Sequence, residues 1–177
     1  PLPPTLRARL EREWGKVVLL TDQIRTLMAQ QRQQVRSATE PAVAQVRQLL
    51  RLRGVGSVSS WVTVMECFAW RRFRNRREVG ALAGLVPSPY QSGAMTRDQG
   101  ITKAGNRHLR HLLVELAWGW LRYQPDSVLS RWYVTRFGTG SSRLRRIGIV
   151  ALARRLLIAL WRYLETGVVP EGAVLKA

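Results

Sequence analysis

The residues with the clearest chemical potential lie between Ala83 and Leu113. A glycine- and proline-rich stretch there carries one Ser-Gly pair, Ser92-Gly93. It runs into a second loop, Gly100-Ile101-Thr102-Lys103-Ala104-Gly105-Asn106, and then into a basic amphipathic helix. A serine hydroxyl can attack a phosphodiester and keep the bond energy in a protein–DNA linkage, provided it is exposed, flanked by cations and able to lose its proton. Gly93 leaves room for a substrate backbone, and Arg97, Lys103 and Arg107 stand near in sequence to stabilise phosphate oxygens. Ser92 is therefore a candidate nucleophile and Asp98 a candidate proton acceptor. A plain Ser-Gly turn and a surface carboxylate account for the same residue types.

Other chemistries find less support. A metal-dependent nuclease needs several carboxylates held together, whereas Glu40, Glu66, Glu78, Asp98, Glu115 and Asp126 are scattered without paired spacing. No metal site is expected within this chain. His108 and His111 are three apart on a helix but have no evident third ligand, so solvated or phosphate-facing roles fit them better than zinc. Cys67, the sole cysteine, sits in an apolar run and reads as a buried thiol.

The charge balance names the partner. Lysine and arginine total 29 against 11 acids, a formal charge of +18, while 46% of residues are apolar. A globular core and a polyanionic partner follow, with nucleic acid the natural one. Arginine greatly outnumbers lysine. Guanidinium binds phosphate bidentately and stacks on bases, which suits close contact. The lone cysteine and the absence of an opening signal segment fit a cytoplasmic, nucleoid-associated protein. The apolar stretch Ile147 to Trp161 is short and broken by Arg154-Arg155, so no membrane span is expected. The chain begins without methionine, as a fragment or a processed chain would.

The positioning elements read as helices throughout. Leu10, Trp14, Val17, Thr21, Ile24, Met28, Gln31 and Val35 alternate spacings of four and three, widened by Leu20 and Leu27. This predicts one long heptad helix over 5–37, which suits a homo-oligomer or an antiparallel helix pair. A helix simply lying on the core also fits the pattern. Pro41 opens a helix over 42–51, and Leu52-Arg53-Gly54-Val55-Gly56-Ser57 turns the chain into a helix over 58–69. Helix, Gly-Val-Gly turn and helix make a helix-hairpin-helix pattern, in which Gly54, Gly56 and the first amides of the second helix are candidate phosphate ligands.

Arg71, Arg72 and Arg74 lead a dense arginine cluster that continues through Arg76 and Arg77, a candidate backbone clamp. A short helix over 77–85 and a long functional loop over 86–105 follow. Asn106 caps the next helix, and Asn106, Arg107 and Arg110 at its start join the phosphate candidates. Further helices are expected over 127–137 and from Ser141 or Ser142 to Thr166. The last of these is apolar on nearly every side, as a central buried helix or one awaiting a partner would be. The tail after Gly167 is expected to fray, and no strand is expected. The fold class is all-α: a coiled-coil-like helix over 1–40, a compact helical domain over 41–167 and a tail over 168–177.

Several of these strings occur together and in order in one protein family. Leu52-Arg53-Gly54-Val55-Gly56, Leu82-Ala83-Gly84-Leu85-Val86-Pro87, Tyr90-Gln91-Ser92-Gly93 and Gly100-Ile101-Thr102-Lys103-Ala104-Gly105-Asn106-Arg107-His108-Leu109-Arg110 resemble the C-terminal domain of insertion-sequence transposases. In that family an N-terminal RuvC-like DEDD domain precedes a serine-bearing domain, and the enzymes are bridge-RNA-guided recombinases. The resemblance covers about 48–113, with weaker helical similarity to about 164, and the heptad helix is similar to the coiled coil joining the two domains. It implies that Ser92 joins covalently to DNA during strand exchange. The family often has serine where this chain has Thr102, so Thr102 is the second choice.

Donor and target DNA, a guide RNA and magnesium are the implied partners of the full-length enzyme. The acidic quartet that binds the magnesium has no counterpart here, so the RuvC-like domain would have to come from another polypeptide. The rival expectation is a non-catalytic nucleic-acid-binding module, such as a truncated transposase remnant. An RNA-binding structural protein is a third.

Overall fold

The structure, a computed structural model, describes residues 2–92 and 95–176, with the backbone alone for 89–92 and 95–99. Seven α-helices and one two-stranded sheet follow in order: α1 (Pro4–Ser37), α2 (Pro41–Leu50), α3 (Ser57–Thr63), α4 (Arg76–Leu82), β1 (Pro87–Ser92), β2 (Met95–Ile101), α5 (Arg107–Tyr123), α6 (Val128–Phe137) and α7 (Ser142–Thr166). The mostly helical architecture with a long N-terminal helix agrees with the sequence reading. No helix among the described residues is long and apolar enough to cross a membrane.

The core forms where apolar faces at helical spacing meet. Leu109, Leu113, Leu116, Ala117 and Trp120 line one side of α5 and pack against Ile149, Leu152, Leu156, Leu157 and Leu160 of α7. Tyr133 and Phe137 of α6 and Val46 and Leu49 of α2 close the cluster. Side-chain caps start the later helices: Asn106 accepts from Leu109 N, Ser127 from Ser130 N, and Ser141 from Leu144 N. The alternative between Ser141 and Ser142 is thereby decided for Ser141.

Helix α1 is different. None of its 34 residues is buried, and its apolar stripe faces solvent, with Trp14 67% exposed. Its anchor is at its C-terminal end, where Arg47 Nη1 of α2 donates to Val35 O and Ala38 O, each at 2.9 Å.

Three features depart from the sequence expectations. The stretch read as a long loop contains an antiparallel hairpin, with Tyr90 opposite Arg97 and Ser92 opposite Met95. The sheet has only two strands among the described residues. The alternation of apolar and polar residues that signals a strand is missing from the sequence over 87–101. The prolines sit beside an irregularity between Pro87 and Pro89, where a strand without a second neighbour tolerates them.

The helix expected over 58–69 changes pitch: after Thr63 it continues as a π-helical turn, Val64–Phe68. The tail does not fray either. Arg53 N donates to Val174 O, Lys176 N to Arg51 O and Val128 N to Glu171 O, at 2.7–3.1 Å. The first two of these bonds join residues more than a hundred positions apart, a constraint that local composition does not signal.

Candidate nucleic-acid interface

The turn that launches α5 is built on backbone. Thr102 N donates to Val86 O at 2.9 Å, Lys103 N to Gly84 O at 3.1 Å and Asn106 N to Leu82 O at 2.8 Å, which fastens the base of the hairpin to the end of α4. Gly105 makes this approach possible. A Cβ there would lie 2.5 Å from Leu82 O and 2.7 Å from Gly84 N, and its φ of +155° suits glycine. Arg110 braces the same turn, its Nη1 donating to Ala83 O at 3.0 Å and Lys103 O at 3.2 Å.

Asn106 is a node as well as a cap. Its Oδ1 accepts from Leu109 N at 3.0 Å, while its Nδ2 donates to Glu66 Oε2 at 2.7 Å. The other oxygen of Glu66 lies 2.7 Å from His108 Nδ1. Glu66 stands in the π-helical turn, where the widened pitch changes the direction in which side chains leave the helix. In the sequence Glu66 is one of several scattered acids, because its partners lie 40 and 42 residues away.

Lys103, Arg107 and Arg110 come together with His111 around a cavity of about 340 Å3. Lys103 and Arg107 are exposed, whereas Arg110 is half-buried by its carbonyl contacts. Backbone register puts Ser92 at the end of β1 and Arg97 within β2 opposite Tyr90. The side chains of Ser92, Arg97 and Asp98 lie outside the described residues. Thr102 is exposed at the hairpin base.

The Gly-Val-Gly turn has another character. Gly54 has φ +85°, and a Cβ on it would meet Tyr123 Cβ at 2.8 Å. The turn's carbonyls are already engaged: Arg53 O accepts from Gln124 Nε2 at 2.8 Å, and Val55 O from Lys176 Nζ at 2.7 Å. Gly56 is open, with nothing within 4 Å of the place a Cβ would occupy, and it starts α3 without a side-chain cap. Arg71, Arg72 and Arg74 are exposed in the connection to α4, with Arg71 over the Phe73 ring at 5.8 Å. None of these glycines or arginines lines the cavity beneath the hairpin. Cys67 is fully buried, and burial pushes its thiol up to about 12, against a smaller opposing pull from Arg71. It is no nucleophile at neutral pH.

The sequence reading missed a second cationic feature. A groove of about 1530 Å3 runs along α7 between α6 and the hairpin base. Arg143, Arg146, Arg154, Arg155 and Arg162 of α7 line it, joined by Arg76 and Arg77 of α4 and by Lys103. Glu171 is the sole carboxylate among its described lining residues. Its floor is apolar, with Leu129, Ile147, Val150 and Ile158. Arg155 lies 3.9 Å over the Trp132 ring, and Arg154 Nε is buried with no hydrogen-bond partner among the described residues. Burial, then the charges of Arg76 and Arg77, hold the Arg154 pKa below its ordinary value. The signal was available in the three- and four-residue spacing of Arg143, Ile147, Val150, Arg154, Ile158 and Arg162, one stripe of a helix. Ile101, Lys103 and Val150 line both cavities, so the groove reaches the hairpin base.

No group of three potential ligands that could hold a metal occurs among the described residues. The described residues therefore do not fit a magnesium ion of the kind the resemblance implies.

Comparison with known proteins gives this arrangement its class. The family model described as Transposase IS116/IS110/IS902 matches residues 46–132, from α2 through the hairpin to α6. Across that segment the chain is similar to the transposases of this family. The chain is 43% identical to y4rJ of Sinorhizobium fredii, a transposase by name, over 99% of this chain and 46% of the relative. It is 31% identical to a Pseudomonas aeruginosa protein named as a family 20 transposase, over 69% of this chain and 36% of the relative. It is 30% identical to the transposase for insertion sequence element IS1328 of Yersinia enterocolitica, over 66% and 33%. The chain spans less than half the length of these relatives.

Proposed function

We propose that this chain is the DNA-binding and serine-nucleophile part of a transposase that exchanges DNA strands for an insertion sequence. The observation that carries the reading is the braced hairpin within the family-matched segment: Ser92 ends β1, and the turn below it gathers Lys103 and Arg107. Ser92 Oγ attacks a DNA phosphorus. The new Oγ–P bond replaces a P–O bond to deoxyribose, the hydroxyl proton passes to a base such as Asp98, and the leaving oxygen takes up a proton. Arg97, Lys103 and Arg107 offset the charge that builds on the phosphate. Thr102 is the second candidate nucleophile. Arg71, Arg72, Arg74 and the open amides beside Gly56 hold DNA backbone without reading its sequence. Gly54 supports that turn, and Asn106 and Arg110 support the other.

Helix α1, with its unburied apolar stripe, pairs protomers. By family resemblance, a RuvC-like domain with magnesium and a guide RNA complete the reaction, in the cytoplasm beside the nucleoid. The test is a denaturing gel for a protein–DNA adduct, with the chain, a separately supplied RuvC-like domain, guide RNA, magnesium and cognate DNA. An adduct is expected with the wild type and none with Ser92→Ala. An adduct that survives Ser92→Ala moves the nucleophile elsewhere, Thr102 first.

The extent of cationic surface away from the hairpin favours a second reading, a non-catalytic binding module. It predicts salt-sensitive DNA binding that Ser92→Ala leaves unchanged, with no adduct from either protein.

A further inference from the structure

The groove along α7 poses a problem that a double helix does not solve. Its rim is cationic, and none of its arginines pairs with a carboxylate among the described residues. Guanidinium groups this dense repel one another and call for a polyanion. The floor, however, is apolar. Duplex DNA turns sugars and phosphates outward and keeps its base faces stacked inside, so it would leave Leu129, Val150 and Ile158 without a partner. A strand whose bases are unpaired offers both surfaces at once, phosphate for the rim and base faces for the floor. The volume, about 1530 Å3, exceeds the roughly 300–1,000 Å3 of small-molecule pockets and suits a stretch of polymer.

We propose that this groove seats unpaired DNA, with phosphates on the arginine rim and a base stacked on the Arg155 guanidinium, which the Trp132 indole backs. The proposal rests on the transposase reading and gives that reading a particular form of substrate. Deoxyribose suits the floor better than ribose. Thr166 is the one neutral polar side chain among the described aliphatic and charged residues of the groove's α7 wall, and its hydroxyl already donates to Arg162 O at 2.8 Å. On that wall a ribose 2′-OH would meet no free side-chain acceptor, Glu171 lying beyond α7. A second copy's α1 is a poor occupant. It carries Arg7, Arg9, Arg12, Lys16, Arg25, Arg32 and Arg36 against three acids, so the rim repels it. The groove also ends where the hairpin begins. Pro87 lines it, and Ser92 lies five residues further along β1, about 17 Å at strand rise. A strand in the groove is thus within reach of the hairpin.

The experiment is fluorescence anisotropy of this chain with a labelled, non-self-complementary DNA strand of about 16 nucleotides. The same length of duplex DNA, the same sequence as RNA, and poly-glutamate as a competitor form the other arms. Two double variants remove equal charge from exposed positions: Arg146→Ala with Arg155→Ala inside the groove, and Arg131→Ala with Arg136→Ala outside it. We expect the wild type to prefer the single DNA strand to the duplex. The groove variant should lose about tenfold in single-strand affinity, and its salt slope should fall by about 1.4, the value for two lost phosphate contacts.

Equal losses in the two variants would overturn the groove, leaving only a response to net charge. So would duplex or RNA bound through the groove as tightly as the DNA strand, or displacement by poly-glutamate as effective per charge as by unlabelled strand. In all of these outcomes the transposase reading survives. Failure of every nucleic acid to bind at low salt would instead sink both.

Discussion

Two glycine-bearing turns lie beside basic residues in this molecule, and they are put to different uses. In the turn between α2 and α3, Gly54 folds back against Tyr123, and the carbonyls of Arg51, Arg53 and Val55 accept hydrogen bonds from Gln124 and the C-terminal tail. In the turn before α5, Gly105 lets the backbone press onto Leu82 and Gly84, while Lys103 and Arg107 remain exposed over a cavity. The first turn is mostly occupied by the protein itself, leaving Gly56 and the start of α3 as its free part. The second is braced from behind and open in front. Glycine beside positive charge therefore does not define a phosphate site until the occupants of the turn's own backbone groups are known.

The strongest challenge to this contrast is a change at Gln124. Its side chain is 1% exposed, donates to Arg53 O and Val174 O and accepts from Val174 N at 2.7–2.8 Å. Gln124→Ala strands buried backbone groups at about 1–3 kcal/mol each, so a loss of about 3 kcal/mol is expected in urea unfolding. Amide exchange should rise together over residues 51–56 and 171–176 while staying unchanged over 102–106. A rise confined to the tail would show that the first turn holds itself.

A slightly smaller effect is expected from Gly54→Ala. The left-handed φ costs about 1–2 kcal/mol and the encounter with Tyr123 Cβ adds strain, giving about 2–3 kcal/mol in all. Gly56→Ala meets nothing and should cost less than about 1 kcal/mol as an N-cap change. Denaturation curves for the two variants test whether neighbouring glycines differ as the structure requires. Equal costs would contradict the division of that turn.

The second turn is probed by Asn106→Ala. It removes a helix cap and a partner of Glu66, with about 1–2 kcal/mol of stability at stake. The distinguishing readout is DNA binding, which should weaken more than it does for Gln124→Ala once both are compared below their unfolding transitions. If the order is reversed, the turn between α2 and α3 carries the stronger phosphate contacts.

These experiments act on features that differ in how far the sequence discloses them. Helices α2, α5, α6 and α7 follow from apolar residues three and four apart and from caps such as Asn106 and Ser127, all local properties. The sequence over 87–101 carries no alternation of apolar and polar residues, so its prolines and glycines read as loop. The Glu66–Asn106–His108 contacts join residues about forty positions apart, and the anchoring of the tail joins residues more than a hundred apart. The groove combines arginines from α4, α7 and the hairpin base. Ser92, Lys103 and Arg107 are candidates from their types and spacing together with the family resemblance. Arg110 was identifiable as a basic residue, whereas its brace on Ala83 O and Lys103 O depends on the tertiary fold.

The smallest effect concerns Lys176, which ties the tail to the first turn by donating to Val55 O at 2.7 Å. Burial lowers its pKa below the ordinary lysine value. A lysine whose pKa is lower in the folded state binds fewer protons there than in the unfolded chain between the two values, so stability rises with pH across that window. The window lies just below the ordinary lysine value of 10.5. Wild-type protein should therefore gain slightly in melting temperature as pH climbs towards that value, after allowance for the titration of the other groups. Lys176→Met, which cannot titrate, should lack that increment while also losing the bond to Val55 O. The difference between the two melting curves, followed from about pH 8 up to the ordinary lysine value of 10.5, isolates this residue. If wild type and variant move in parallel, the desolvation of Lys176 is offset by its bond to Val55 O, and the tail holds the first turn through backbone alone.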